Sequence, residues 1–275
     1  MLSAENKMLA EKASQSGVAL EKIIDGELLL EITGAAPSDF DLVLQRSVSY
    51  SRSLCTTYYW EKLGIDVVNS YSAAKICGDK FVCSMEMARA GIPTPKTFVA
   101  FSPESAKQIS SKLPYPVVIK PVMGSWARMV QRLNDKDSLE AAIESREEMG
   151  NPWQKIYYMQ EHVEKPGRDI RAFVVGTEVI AAIYRNSTEK SGWITNTGRG
   201  GTATNCPVTS ELREMCLKAV SITDEGIYGV DLMESERGLL VHEINHTTEF
   251  RNSIAPSGVD IPQKIIDYAI SRAKS

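Results

Sequence analysis

Residues 228–252, YGVDLMESERGLLVHEINHTTEFRN, limit the possible folds more than any other stretch. Two short apolar runs, 228–233 and 238–244, flank the polar segment Glu234-Ser235-Glu236-Arg237. That pattern reads as a β-hairpin with a loop of about four or five residues. If the register sets Asp231 opposite Glu243, which is a supposition, side-chain alternation puts Asp231, Glu243 and Asn245 on one face. Two carboxylates and an amide carbonyl form an all-oxygen set suited to a hard cation such as Mg²⁺, whose shell substrate phosphates would complete. The same pattern also suits a hairpin with ordinary acidic ends. An acidic residue inside each apolar strand favours the metal, because an unpaired buried charge is costly.

The chain has 275 residues, 43% apolar and 24% charged, enough for two or three domains with sizeable cores. A net charge of −4 argues against a mainly electrostatic nucleic-acid binder. No apolar run approaches a membrane span, and no signal-peptide core is present, so a cytoplasmic location with no membrane partner is expected. The scattered cysteines Cys55, Cys77, Cys83, Cys206 and Cys216 form no CxxC and read as reduced, mostly buried thiols.

Periodicity predicts a helix over 4–17, strands at 28–32, 42–44 and 65–69, and helices over 53–63 and 74–90. This is a βαβ arrangement with a parallel sheet. Nothing precedes the first helix, where a strand would normally open such a domain, so the numbered start is expected to lie downstream of the true one. Ile92-Pro93-Thr94-Pro95 is a stiff linker that sets a boundary near residue 90. Strands follow at 96–101, 116–121 and 156–163, with helices at 103–112 and 138–149. Next come an antiparallel pair (170–175 and 179–185), a polar loop (186–206), a helix (210–223), the hairpin, a turn at Pro256-Ser257-Gly258 and a closing helix over 260–273. The organisation expected is α/β (α+β): domains 1–90, 91–165 and 166–275.

Lys120 ends the strand VVIK before a Gly-Ser turn, where an ammonium reaches nucleotide phosphates and turn amides line the other side. Lys80 heads a helix after Asp79. Each also has an ordinary reading, as a snorkelling or solvated lysine. Arg168, Arg171 and Arg185, with Asp169, sit in one short antiparallel unit. They suit bidentate capture of phosphate or carboxylate, or a solvated face. Asn196, in a glycine-rich loop, is placed to donate to a transferring phosphoryl group. No Walker pattern or GxGxxG is present, nor is there metal-ligand spacing among His162, His242 and His246 or a nucleophile elbow. P-loop, Rossmann, zinc and triad chemistry are therefore set aside.

In order, DK (79–80), GIPTPKT (91–97), VVIKP (117–121), QEHV (160–163), GRDIRAFVVG (167–176), NTGRGG (196–201), GVDLM (229–233) and HEINHTTEF (242–250) resemble the ATP-grasp superfamily over almost the whole chain. Within it, QRSVSYSR (45–52), GSWARMV (124–130) and EINHTTEFRNS (243–253) resemble the LysX/ArgX ligases, with RimK-like glutamate ligases as the nearest alternative. The resemblance implies an N-terminal pre-ATP-grasp domain and two subdomains clamping ATP. It also implies a carboxylate–amine ligase that joins α-aminoadipate or glutamate to the C-terminal glutamate of the acidic carrier LysW through an acyl phosphate. Lys80 and Lys120 would contact phosphates, and Glu161 and Val163 adenine. Asp169 would hold the ribose, and Gly124, Ser125, Gln160 and His162 would join them in holding the nucleotide. Two Mg²⁺ would sit on Asp231, Glu243 and Asn245, while Arg185 and Asn196 would steady the transferred phosphate. Arg46, Arg171, Thr197, Thr247, Thr248, Glu249 and Phe250 would form the substrate side. Arg46, Arg52, Arg128, Arg171 and Arg185 are candidates for docking the carrier. A dimer or tetramer is usual in the family. Ala127 stands where the family has glycine, so its loop is expected to take another conformation or close differently.

Overall fold

The computed structural model describes residues 2–34, 39–124, 127–195 and 197–273. It opens with helix α1 (Ala4–Gln15), capped by the Ser3 hydroxyl. Strands β1 (Val43–Leu44) and β2 (Val67–Val68) pair in parallel and are linked by α2 (Tyr50–Lys62). The strand expected at 28–32 does not form. Leu29 and Ile32 are 98% and 85% exposed, so no apolar face is buried that would hold the segment extended.

The single helix expected over 74–90 is two, α3 (Tyr71–Gly78) and α4 (Lys80–Arg89). Asp79 breaks it: its carboxylate caps the Phe81 and Val82 amides, and the Lys80 amide turns away to Val122 O at 2.9 Å. The break brings Lys80 to the cavity wall.

A four-stranded sheet follows, built from β3 (Thr97–Ala100), β4 (Val117–Lys120), β5 (Gln131–Leu133) and β6 (Tyr157–Glu161) in the order β3-β6-β4-β5. Helices α5 (Pro103–Gln108), which tightens into a 3₁₀ turn at Ile109–Ser111, and α6 (Lys136–Met149) cover one face. Val117, Ile119 and Met159 pack there against Leu139 and Ile143. By alternation Val118, Lys120 and Gln160 point to the opposite face, into the cavity.

The larger sheet runs β11-β10-β7-β8-β9: β7 (Arg168–Val175), β8 (Glu178–Asn186), β9 (Thr202–Asn205), β10 (Ile227–Ser235) and β11 (Gly238–Asn245). Strand β9 lies where a loop was expected. Its edge position and polar Thr-Ala-Thr-Asn sequence hide it from an apolar-pattern reading. One face packs Val174, Val230 and Leu232 on α7 (Ser210–Val220). The other packs Phe173, Val175 and Ile183 on α1 and α9 (Ile261–Ala273). The turn expected at 256–258 belongs to a helix instead, α8 (Arg251–Ser257), with Pro256 inside it and Gly258 in the left-handed cap (φ 68°). The five cysteines are free, with Cys55 alone exposed. No helix among the described residues is long and apolar enough to cross a membrane.

Candidate active site

The hairpin takes the register supposed for it: Asp231 pairs with Glu243, and Gly229 with Asn245. Its turn is tighter than expected, because pairing continues to Ser235–Gly238 and the Ser235 hydroxyl donates to Gly238 O at 2.8 Å. A bulge opens between Asp231 and Leu232, whose partners are Glu243 and Val241. The unpaired residue is His242. Strict alternation would send it to the far face, but the bulge lets His242 and Glu243 both line the cavity.

On β7, Arg171 stands opposite Asp231, and Asp169 stands opposite Arg185 of β8. Arg171 embraces Asp231 with two nitrogens, Nη2 at 2.7 Å. Arg185 lies between the acids, its Nε 2.6 Å from Asp169 and its Nη2 3.1 Å from Asp231. Burial alone would push the Asp231 carboxyl up, but Arg171 and Arg185 hold it well below its usual range. Asp169 is likewise kept ionised against burial by Arg185 and Lys165, and Thr195 donates its hydroxyl to it. Asp169 is thus bonded on both oxygens inside the protein.

Lys80 Nζ lies 2.9 Å from Glu243 and donates to Gly124 O at 3.0 Å. Lys120, 8% exposed, donates to Gln160 Oε1 at 2.7 Å, and burial lowers its pKa to about 8. A buried ammonium with one neutral acceptor is poised for an anion. Five groups around three acids give an inner cluster of Lys80, Lys120, Lys165, Arg171 and Arg185 with Asp169, Asp231 and Glu243.

These side chains line one cavity of about 2050 Å³, which also takes in Gly124, Glu161, His162, Val163, Thr197, Arg46, Thr247 and Glu249. The Glu161 amide is spent on Lys96 O (2.9 Å), and its carboxylate accepts from the Lys96 amide and Arg237. Thr197 accepts from Asn252 at 3.4 Å. Ser125 and Asn196 lie outside the described residues. Ala127 takes a left-handed backbone, φ 52°, which costs a residue with a Cβ strain that glycine would not feel.

The predicted substrate residues divide. Phe250 and Thr248 are buried, and Thr248 seats its hydroxyl where a Cβ on Gly229 would lie, 2.3 Å away. Arg46 donates to Thr248 O at 3.0 Å and lies 5.9 Å from the Phe250 ring centroid. Burial lowers its pKa to about 10. Of the residues considered for carrier docking, Arg171 and Arg185 are committed to inner acids, whereas Arg52 and Arg128 are exposed. Sequence reading missed Lys165, Thr195 and His242. Among the described residues, both ring nitrogens of His242 and the Thr247 hydroxyl are buried without a partner at the cavity wall, and burial with the nearby Lys120 charge lowers the His242 pKa to about 4. These atoms leave hydrogen-bonding capacity for a ligand. No sequence signal marks the bulge that turns His242 inward; it appears only in the strand pairing.

Among the described residues no three His, Cys, Asp or Glu side chains form a complete metal cage. Two ionised carboxylates and an amide on one strand-pair face do fit Mg²⁺, which draws its remaining ligands from phosphate and water.

Residues 2–76 match the LysX pre-ATP-grasp domain and residues 77–269 the RimK-like ATP-grasp domain. The chain is 37% identical over 272 residues to the alpha-aminoadipate–LysW ligase LysX of Saccharolobus solfataricus, covering 98% of each chain. It is 31% identical over 265 residues to the glutamate–LysW ligase ArgX of Sulfurisphaera tokodaii, covering 96% and 93%. The crystal structure of a RimK domain ATP-grasp protein from Sphaerobacter thermophilus superposes with a TM-score of 0.83 at 22% identity, covering 98% and 97%. The chain belongs to the RimK-like ATP-grasp family, and it is an ATP-dependent ligase.

Proposed function

We propose that this ligase joins the α-amino group of α-aminoadipate or glutamate to the terminal carboxylate of a small acidic LysW-type carrier in the cytoplasm. The observation that carries the reading is the loop 246–250, which directly follows Glu243 and Asn245 and opens onto the cavity holding Lys80 and Lys120. The higher identity to the aminoadipate relative favours that substrate.

Residues 1–90, 91–165 and 166–275 are taken as the working units. Lys80 and Lys120 bind the phosphates, and Gly124 and Ser125 contribute to the same nucleotide site. Gln160 orients the Lys120 ammonium, while Glu161, His162 and Val163 form the base end of the cavity. Asp231, Glu243 and Asn245 would hold two Mg²⁺, which would neutralise charge on the transferring phosphoryl group. A carrier carboxylate oxygen attacks the γ-phosphorus, the bond to ADP breaks, and an acyl phosphate forms. The amine then attacks the acyl carbon, phosphate leaves, and the ammonium proton is lost. Arg185 and Asn196 steady the transferred phosphate, and Arg171, Thr197, Thr247 and Glu249 face the acceptor side. Such chemistry depends on positioning and charge more than on a strong base.

The test is ADP release with Mg-ATP and purified carrier, adding each amino acid separately. Turnover requiring both carrier and amino acid is expected, with the higher kcat/KM on α-aminoadipate. Glutamate-dependent turnover on another peptide acceptor, with none on the carrier, would replace this reading by a RimK-like one.

A further inference from the structure

Asn69 follows β2 and belongs to none of the groups assigned to the site above. Its side chain is 3% exposed and bonds only backbone: the Ile227 amide donates to Oδ1 at 2.6 Å, and Nδ2 donates to Ile227 O at 2.7 Å and to His246 O at 2.6 Å. The Ile227 N–H requires an oxygen facing it, which fixes the orientation of the amide. The pair of bonds to Ile227 copies a strand partner at the start of β10. The remaining hydrogen reaches past it to the loop after β11.

We propose that Asn69 is a positioning residue that holds the loop 246–250 in register with Glu243 and Asn245. Two features of the structure support this. A Cβ on Gly226 would lie 2.1 Å from Asn69 Oδ1, so the glycine makes the space the amide occupies. The loop is also held at Thr248, whose carbonyl accepts from Arg46 at 3.0 Å. Thr247, whose buried hydroxyl at the cavity wall has no partner among the described residues, stands between the two anchors. Residues of the N-terminal part thus set a loop that follows the metal-ligand candidates by chain order.

The test uses full-length Asn69→Ala, Asn69→Asp and Gly226→Ala, the last of which displaces the amide without deleting it. Hydrogen exchange of amides 246–250 should accelerate at least about tenfold in all three, with β7 and β8 unchanged. Asn69→Asp keeps the acceptor for the Ile227 amide, so that amide alone should stay protected. The kinetic arm rests on the function proposed above. KM for the amino acid should rise about tenfold while KM for ATP stays within about twofold. Unchanged exchange at 246–250 would overturn the proposal. So would uniform loosening of the large sheet with loss of Mg-ATP binding, because Asn69 would then hold the fold as a whole. If the wild type turns over neither amino acid, the functional reading fails while the exchange data still decide the role of Asn69.

Discussion

Burial drops the Lys120 pKa to about 8, and a bound polyphosphate should return it towards its ordinary value near 10.4. At pH 8.5 a group of pKa 8 is only about one-quarter protonated, so nucleotide binding should take up about three-quarters of a proton. At pH 7 the same group is already about nine-tenths protonated, and uptake should fall to about a tenth. The sign follows from the linkage: the bound state binds more protons, so affinity falls as pH rises through 8. Isothermal titration of Mg-ATP in two buffers of different ionisation enthalpy measures the uptake. Nucleotide phosphates are fully ionised at pH 8.5 and add nothing. Lys165, also lowered by burial, is separated from Lys120 by Lys120→Arg, whose guanidinium stays charged throughout. That variant should bind nucleotide and lose most of the uptake. Equal uptake at pH 7 and pH 8.5, or unchanged uptake in Lys120→Arg, would refute the assignment of Lys120 as the phosphate-facing cation.

Gly229→Ala places a Cβ 2.3 Å from Thr248 Oγ1 and 3.2 Å from Arg171 Cδ, so KM for the amino acid should rise by about tenfold or more, measured by ADP release. Ala127→Gly relieves the left-handed backbone and should raise stability by about 1 kcal/mol in urea unfolding, with no loss of activity. Arg185→Ala removes one of the two cations beside each of the buried acids Asp169 and Asp231, which keep Lys165 and Arg171, and should lower stability by about 1–3 kcal/mol in the same assay. Magnesium without nucleotide should leave Tm unchanged, whereas Mg-ATP should raise it.

Much of this was legible because it depends on periods of two and on adjacency. The hairpin followed from two apolar runs and a polar turn, and Arg171 sits on the face of Phe173 and Val175 as alternation requires, but the opposition of Asp231 and Glu243 was a supposition that the tight turn and the bulge make true. What escaped depends on events that break periodicity. The helix over 74–90 reads continuously, since a capping aspartate costs little in an apolar-pattern count, yet Asp79 ends one helix and starts the next. His242 enters the cavity only because a bulge adds one residue to β11. Lys165 and Thr195 come from connections: Lys165 lies only four residues before Asp169 but in no apolar period that would single it out, and Thr195 reaches Asp169 through folding. Arg46 was legible as a residue facing the site, but its use on the Thr248 carbonyl required the third dimension.

The charges of the inner cluster explain how the site stays folded before substrate arrives and why it selects its ligand. Three carboxylates, Asp169, Asp231 and Glu243, face five basic groups, Lys80, Lys120, Lys165, Arg171 and Arg185. The acids are held ionised because a cation already touches each one, which removes the penalty of leaving them buried alone. The cluster as a whole carries an excess of positive charge, and Lys120 sheds part of it by losing its proton more readily. A divalent cation entering alone would add to that excess and compete with Lys80 for Glu243 and with Arg171 for Asp231. Arriving with a tetra-anionic triphosphate, it brings a net charge opposite to the excess. The phosphates would give Lys80 and Lys120 anionic partners as the metal takes Glu243 from Lys80. Metal and nucleotide should therefore bind as one unit, each making room for the other among the same side chains.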